Sequence, residues 1–150
     1  MKLAVALSER AQIQQDIRAL TERLLRNAKV QEGDKPSEDP EELLKELEDC
    51  TCRLEDLIAR INLTNSSAKI GSVSITEHMA KRDALKIKVN TYRDFLSAAS
   101  DKLQRYSNKE IRIFSTVDVA QLQKKVDSYS KELRKLDEKL QEANWTVELL

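Results

Sequence analysis

The sequence predicts an all-α fold, an antiparallel four-helix bundle of long amphipathic helices. Three observations predict it. Apolar residues recur in four stretches at alternating steps of three and four, the period that keeps one stripe on one face of a helix. Only two Gly and two Pro occur in 150 residues, so turns are few and the elements between them are long. Charged residues make up 35% of the chain and aromatics 4%, a balance typical of long helices or coiled coil rather than of a β fold. The expected organisation is a single helical domain over residues 1–150.

The first helix is expected from about residue 2 to 31. Its seam is Leu3, Ala6, Arg10, Ile13, Ile17, Leu20 and Leu24, and Arg10 is its one polar break. Gln31 to Asp39 holds Gly33 and Pro36 among acids and reads as a linker. Asp39 is an N-cap type, Pro40 suits the first helical position, and Glu42 completes a capping-box spacing. The second helix then runs to about Thr64 on Leu43, Leu47, Cys50, Leu54, Leu57 and Ile61.

Asn65 to Val73 is expected as a loop, with Ser66, Ser67 and Gly71. Ser74 and Glu77 have the capping-box spacing. The third helix follows to about Tyr106, its seam opening on the polar His78 and Arg82 and continuing through Leu85, Val89, Tyr92, Leu96 and Ala99. A second connection spans Ser107 to Val117, and the alternation over residues 110–114 suggests a short extended segment too isolated to make a sheet. Asp118 and Gln121 are placed to cap the fourth helix, whose seam from Val119 to Val147 has no break. Each helix is roughly 40 Å long at 1.5 Å per residue, and short connections favour antiparallel neighbours. Leu44, Ile58 and Phe95 flank the seams. Stripes this wide suit a multi-helix core or a subunit contact better than a two-stranded coil.

Net charge is zero, with 26 basic and 26 acidic residues, which argues against a general nucleic-acid binder. The balance conceals an asymmetry. Residues 32–49 carry nine acids and two bases, and residues 69–113 carry ten bases and five acids, a pattern able to order helices or to hold subunits together. No run of eighteen apolar residues occurs, so no membrane span is expected. The apolar start, Met1 to Leu7, is too short for a secretory signal, and a cytoplasmic protein is the expectation. Cys50 and Cys52 lie two apart on one helix and point in different directions, so they are not expected to bond. With a single histidine, a di-iron carboxylate bundle is excluded, and no cofactor or metal is expected.

An up-down-up-down chain gathers Arg10, Asn62, Asn65, His78, Arg82, Asp83, Asn144 and Trp145 at one end. Arg10, Thr64 and the His78/Arg82 pair interrupt three seams there. Two readings stay open: a pocket in which guanidinium and imidazole groups meet an anion, or a salt-bridged cap with Asp83, Glu9, Glu77, Glu142 or Glu148 as partners. Trp145 lies off the seam and reads equally as a cover for the bundle end or as an interface anchor. The opposite end brings Glu32, Asp34, Glu38 and Asp39 towards Arg105, Lys109 and Arg112. No glycine-rich phosphate loop or nucleophile elbow is present in the sequence.

Val30 to Asp34, Pro36, Glu38 to Pro40, Ile61, Asn62, Thr64, Asn65, Arg82, Asp83, Arg105, Tyr106, Glu110, Ile111, Leu136, Asp137, Gln141, Asn144 and Trp145 resemble the pattern of an uncharacterised bacterial family labelled septicolysin-like. The resemblance covers the whole chain. It implies a helical protein without an established activity, so no catalytic residue carries over. The label implies a cytolysin, yet cholesterol-dependent pore formers are large and β-rich, and this chain is neither.

The expectation is therefore a non-enzymatic helical protein that self-associates, as a dimer or higher homo-oligomer, with neither nucleic acid nor membrane as partner. The alternative is a bundle that binds a small anion or metabolite through Arg10, His78 and Arg82. A lytic role stands behind both.

Overall fold

The computed structural model describes residues 1–101 and 112–150. Its elements are α1 (Leu3–Arg26), α2 (Pro40–Ser67), β1 (Lys69–Ile70), β2 (Val73–Ser74), α3 (Ile75–Ser100) and α4 (Val119–Thr146). The all-α class is as expected, with one very small hairpin added. The chain divides into two compact units: Met1–Ser74 with Glu142–Leu150, and Ile75–Gln141.

In the first unit α1 and α2 form a helical hairpin. Arg23, late in α1, pairs with Glu38 and Glu46, whereas Glu9, early in α1, pairs with Arg53, so the helices run antiparallel. The seam positions Leu3, Ala6, Ile13 and Leu20 of α1 and Leu43, Leu57 and Ile61 of α2 are buried. Fully burying a side chain such as Leu57 contributes about 1.5–3 kcal/mol.

α1 stops at Arg26, five residues before the expected end at 31. The cause is Asn27, whose Nδ2 donates to the Arg23 carbonyl at 2.9 Å while its Oδ1 accepts from the Glu38 backbone N–H at 3.1 Å. The side chain both closes the helix and ties it to the returning chain. Ala28 and Val30 prolonged the apolar pattern without prolonging the helix.

The start of α2 follows the expected chemistry. Asp39 accepts from the Glu41 N–H at 2.9 Å and Pro40 holds the first helical position. The end does not, since α2 continues to Ser67 rather than to Thr64. The expected loop over 65–73 is thereby shortened and holds β1 and β2, paired antiparallel as Lys69 with Ser74 and Ile70 with Val73. Gly71 turns the hairpin at φ +67°, a left-handed conformation open to glycine at no steric cost.

The last residues complete this unit. Leu3 N–H donates to the Val147 carbonyl at 2.9 Å, and Leu149 N–H donates to the Met1 carbonyl at 2.8 Å. Lys2 and Glu148 thereby form an antiparallel bridge, and Ala143 and Leu149 are buried.

The second unit consists of α3 and α4 as far as Gln141. Asp118 caps α4 as expected, its carboxylate accepting from the Gln121 N–H at 3.1 Å. Leu85 and Val89 of α3 and Leu122, Val126, Leu136 and Leu140 of α4 are buried. Arg93 donates to the Ser130 hydroxyl at 3.0 Å, and Lys81 pairs with Glu132 at 3.1 Å. Of the extended segment expected over 110–114, residues 110 and 111 lie outside the described residues, and 112–115 carry neither helix nor strand. The expected end of the third helix at Tyr106 also lies outside them.

Candidate functional site

The eight polar-end residues divide between the units. Arg10, Asn62, Asn65, Asn144 and Trp145 belong to the first, and His78, Arg82 and Asp83 to the second. In the first unit Arg10 sits half-buried on the α1 seam and Asn144 is half-buried, while Asn65 is buried and Asn62 is exposed. Trp145 is 65% exposed, so it covers little within its own chain.

Thr64, the polar break in the α2 seam, has a structural explanation. It is fully buried. Its hydroxyl donates to the Arg60 carbonyl at 2.8 Å and accepts from the Leu150 N–H at 3.0 Å. A hydroxyl stands where the pattern wants a leucine because a backbone donor arrives there. Arg60 adds a bond from Nε to the Leu150 carbonyl at 2.7 Å. The Lys2 ammonium, and after it the amino terminus, holds the Glu148 carboxyl below its ordinary range. Apart from Thr64, none of these clasp contacts carries a sequence signal, because the pairing joins residues more than eighty positions apart.

In the second unit Arg82 donates from Nε at 2.9 Å and from Nη2 at 2.8 Å to Asp83. Its partner is thus its own neighbour in sequence, one of the carboxylates expected for it. The His78 side chain is half-buried, with Nδ1 shielded from solvent.

A second cluster went unnoticed in the sequence. Tyr92 and Tyr129 meet edge to face with ring centroids 5.1 Å apart, and the Lys88 ammonium lies 3.8 Å from the Tyr129 ring centre. Lys88 at the Tyr129 hydroxyl, with Lys125 adding to it, lowers the phenol's pKa. The signal was available. Both tyrosines occupy seam positions, and Lys88 precedes Tyr92 by one helical turn.

Next to this cluster a groove of about 560 Å³ is lined by Thr91, Tyr92, Phe95, Val117, Leu122 and Lys125, with Asp118 and Gln121. A smaller one of about 340 Å³, which also has Phe95 in its lining, is bounded by Ala98, Ala99, Asp101, Ile113 and Phe114. The surface is largely apolar; Lys125 and Asp118 give the larger groove one charge of each sign, and Asp101 lines the smaller.

Nucleophilic chemistry finds little support. Cys50 and Cys52 are both free, and burial, then Asp16, Glu46 and Asp49, push the Cys50 thiol up and keep it protonated. Among the described residues no group of three or more His, Cys, Asp or Glu is placed to hold a metal ion. Among them, too, no helix is long and apolar enough to cross a membrane.

Comparison with known families places residues 10–149 on the model of a family of unknown function, DUF6847. The chain belongs to the DUF6847 family. A crystal structure described as that of a functionally unknown conserved protein from Corynebacterium diphtheriae is similar to this DUF6847 chain over its whole length. The sequences are 41% identical, the TM-score is 0.90, and the match covers 100% of this chain and 99% of the other. No curated protein matches.

Proposed function

We propose that the protein is a non-enzymatic helical protein that works by self-association, and that its amphipathic helices complete an antiparallel four-helix bundle core. One observation carries this reading. Large apolar side chains beside the helix seams stay exposed after the chain has folded: Leu44 at 48% and Ile58 at 39% on α2, and Phe95 at 46% on α3. Scattered exposed apolar residues are ordinary, but a set flanking helix seams marks a contact surface. The protonated Cys50 thiol and the Arg82 guanidinium already engaged by Asp83 fit a structural role better than a catalytic one.

Sedimentation or light scattering across the micromolar range tests the proposal. A multiple of the 17.2 kDa chain mass, or a mass rising with concentration, supports it. A constant 17.2 kDa at every concentration overturns it.

A further inference from the structure

We propose that the open face of the α1/α2 hairpin is a subunit contact, on which the same face of a second copy packs about a two-fold axis parallel to the helices. The inference rests on the self-association reading and names its contact.

The two faces of the hairpin differ. One is closed by ion pairs, Glu9 with Arg53 and Arg23 with Glu46. On the other, Leu44, Leu47, Thr51, Leu54 and Ile58 follow one another along α2 at steps of three and four, a second stripe beside the buried Leu43, Leu57 and Ile61. Leu44 and Ile58 are exposed, and Leu47 and Leu54 are half-buried. Leu7, Gln14 and Thr21, each seven residues from the next, mark the matching side of α1. A helix with two adjacent apolar stripes is built to pack against two neighbours, and within the hairpin α1 supplies only one of them.

Register and charge select the same face of a second copy as the occupant. Equal steps in opposite directions from the Glu9–Arg53 and Arg23–Glu46 pairs bring Leu7 level with Ile58, Gln14 with Thr51, Arg18 with Glu48 and Thr21 with Leu44. A two-fold axis along the helices keeps these levels between copies and sets α1 of each against α2 of the other, antiparallel. Leu7 then meets Ile58, and Gln14 meets Thr51 at a polar level that fixes the register. The Arg18 guanidinium meets the Glu48 carboxylate. Both are exposed, and neither has an ion pair among the described residues. An axis crossing the helices at the level of Gln14 and Thr51 would instead set Arg18 against Arg10 and Glu48 beside Glu55, like charge against like. Every contact lies within the first unit, and the axis makes each of them twice.

Sedimentation equilibrium of the full-length chain and its variants tests the contact, with circular dichroism confirming that each variant is folded. Ile58→Glu puts a charge into the apolar stripe and is expected to weaken association at least about tenfold, a change of about 1.4 kcal/mol. Arg18→Glu and Glu48→Arg each set like charges across the contact, and each is expected to weaken association about threefold or more. Mixed in equal amounts, these two charge variants regain the parental strength, because opposite charges then face each other at both positions of the mixed dimer. A parent that stays monomeric overturns both this contact and the self-association reading. A parent that associates, with all three variants associating equally well, overturns the contact and leaves the reading standing. Charge variants that are weakened alone and stay weakened when mixed overturn the proposal. If Ile58→Glu does not fold, the mixing experiment decides alone.

Discussion

Thr64→Val isolates the clasp that holds the last residues onto the first unit. The two side chains have nearly the same volume, so the fully buried site keeps its packing. What is lost is a hydroxyl that donates to the Arg60 carbonyl and accepts the Leu150 N–H. The first loss costs little, because a helix carbonyl at Arg60 also receives the backbone N–H one turn on. The second removes the acceptor of a part-buried donor, which costs about 1–3 kcal/mol when water cannot replace it. Leu150 is 57% exposed, so water recovers part of that, and about 1 kcal/mol is expected. For a chain of this size 1 kcal/mol lowers Tm by roughly 2–4 °C. Urea unfolding measures the stability and amide exchange at Leu149 and Leu150 measures the clasp, with Thr64→Ser as the control that keeps the hydroxyl. If Thr64→Val were as stable as the parent with amide protection unchanged, the hydroxyl would not be what interrupts the seam, and the reasoning would fail.

Other outcomes follow from the same contacts. Asn27→Ala is expected to cost about 1–2 kcal/mol in denaturant unfolding, because it removes both the closing bond of α1 and the tie to Glu38. Leu57→Ala should cost about 2–5 kcal/mol, the range for a fully buried leucine. Arg23 holds the Glu38 carboxyl low, as Lys2 does for Glu148. The stability these carboxylates contribute is present above the unfolded carboxylate pKa of about 4.3 and disappears as pH falls through the lower folded values. Thermal melts below about pH 4.3 should therefore drop less steeply for Glu38→Gln than for the parent. A disulfide reagent should label the exposed Cys52 quickly and Cys50 slowly, Cys50 being half-buried with its thiol pushed up. Equal rates would contradict that assignment.

Much of the helical framework was legible because the seam is a local signal. Leu3, Ala6, Ile13 and Leu20, and Leu122, Val126, Leu136 and Leu140, were expected inside and are inside. Asp39 and Asp118 cap as their chemistry required. The errors fall where a side chain contacts something distant or where a pattern is too short to read. Asn27 ends α1 by bonding to Glu38 eleven residues away, and apolar spacing alone is blind to that. Two-residue strands offer no alternation to detect, though Gly71 followed by Ser72 between Ile70 and Val73 was a hairpin signal. Of the polar end, Thr64 and Arg82 have defined partners in the fold. The Thr64 partner, Leu150, lies eighty-six positions away, beyond any local pattern, while the Arg82 partner is its immediate neighbour and was among those expected.

The first unit is discontinuous in sequence, and that has a consequence during synthesis. Its first 74 residues leave the ribosome long before Glu142–Leu150, with the 67 residues of the other unit made in between. At about 5–20 residues per second the α1/α2 hairpin waits several seconds or longer with the places for Ala143 and Leu149 unfilled. The second unit is one uninterrupted stretch and meets no such delay. The order in which the parts mature therefore reverses their order of emergence, and the nascent hairpin is the stage at which a chaperone would find the most to protect.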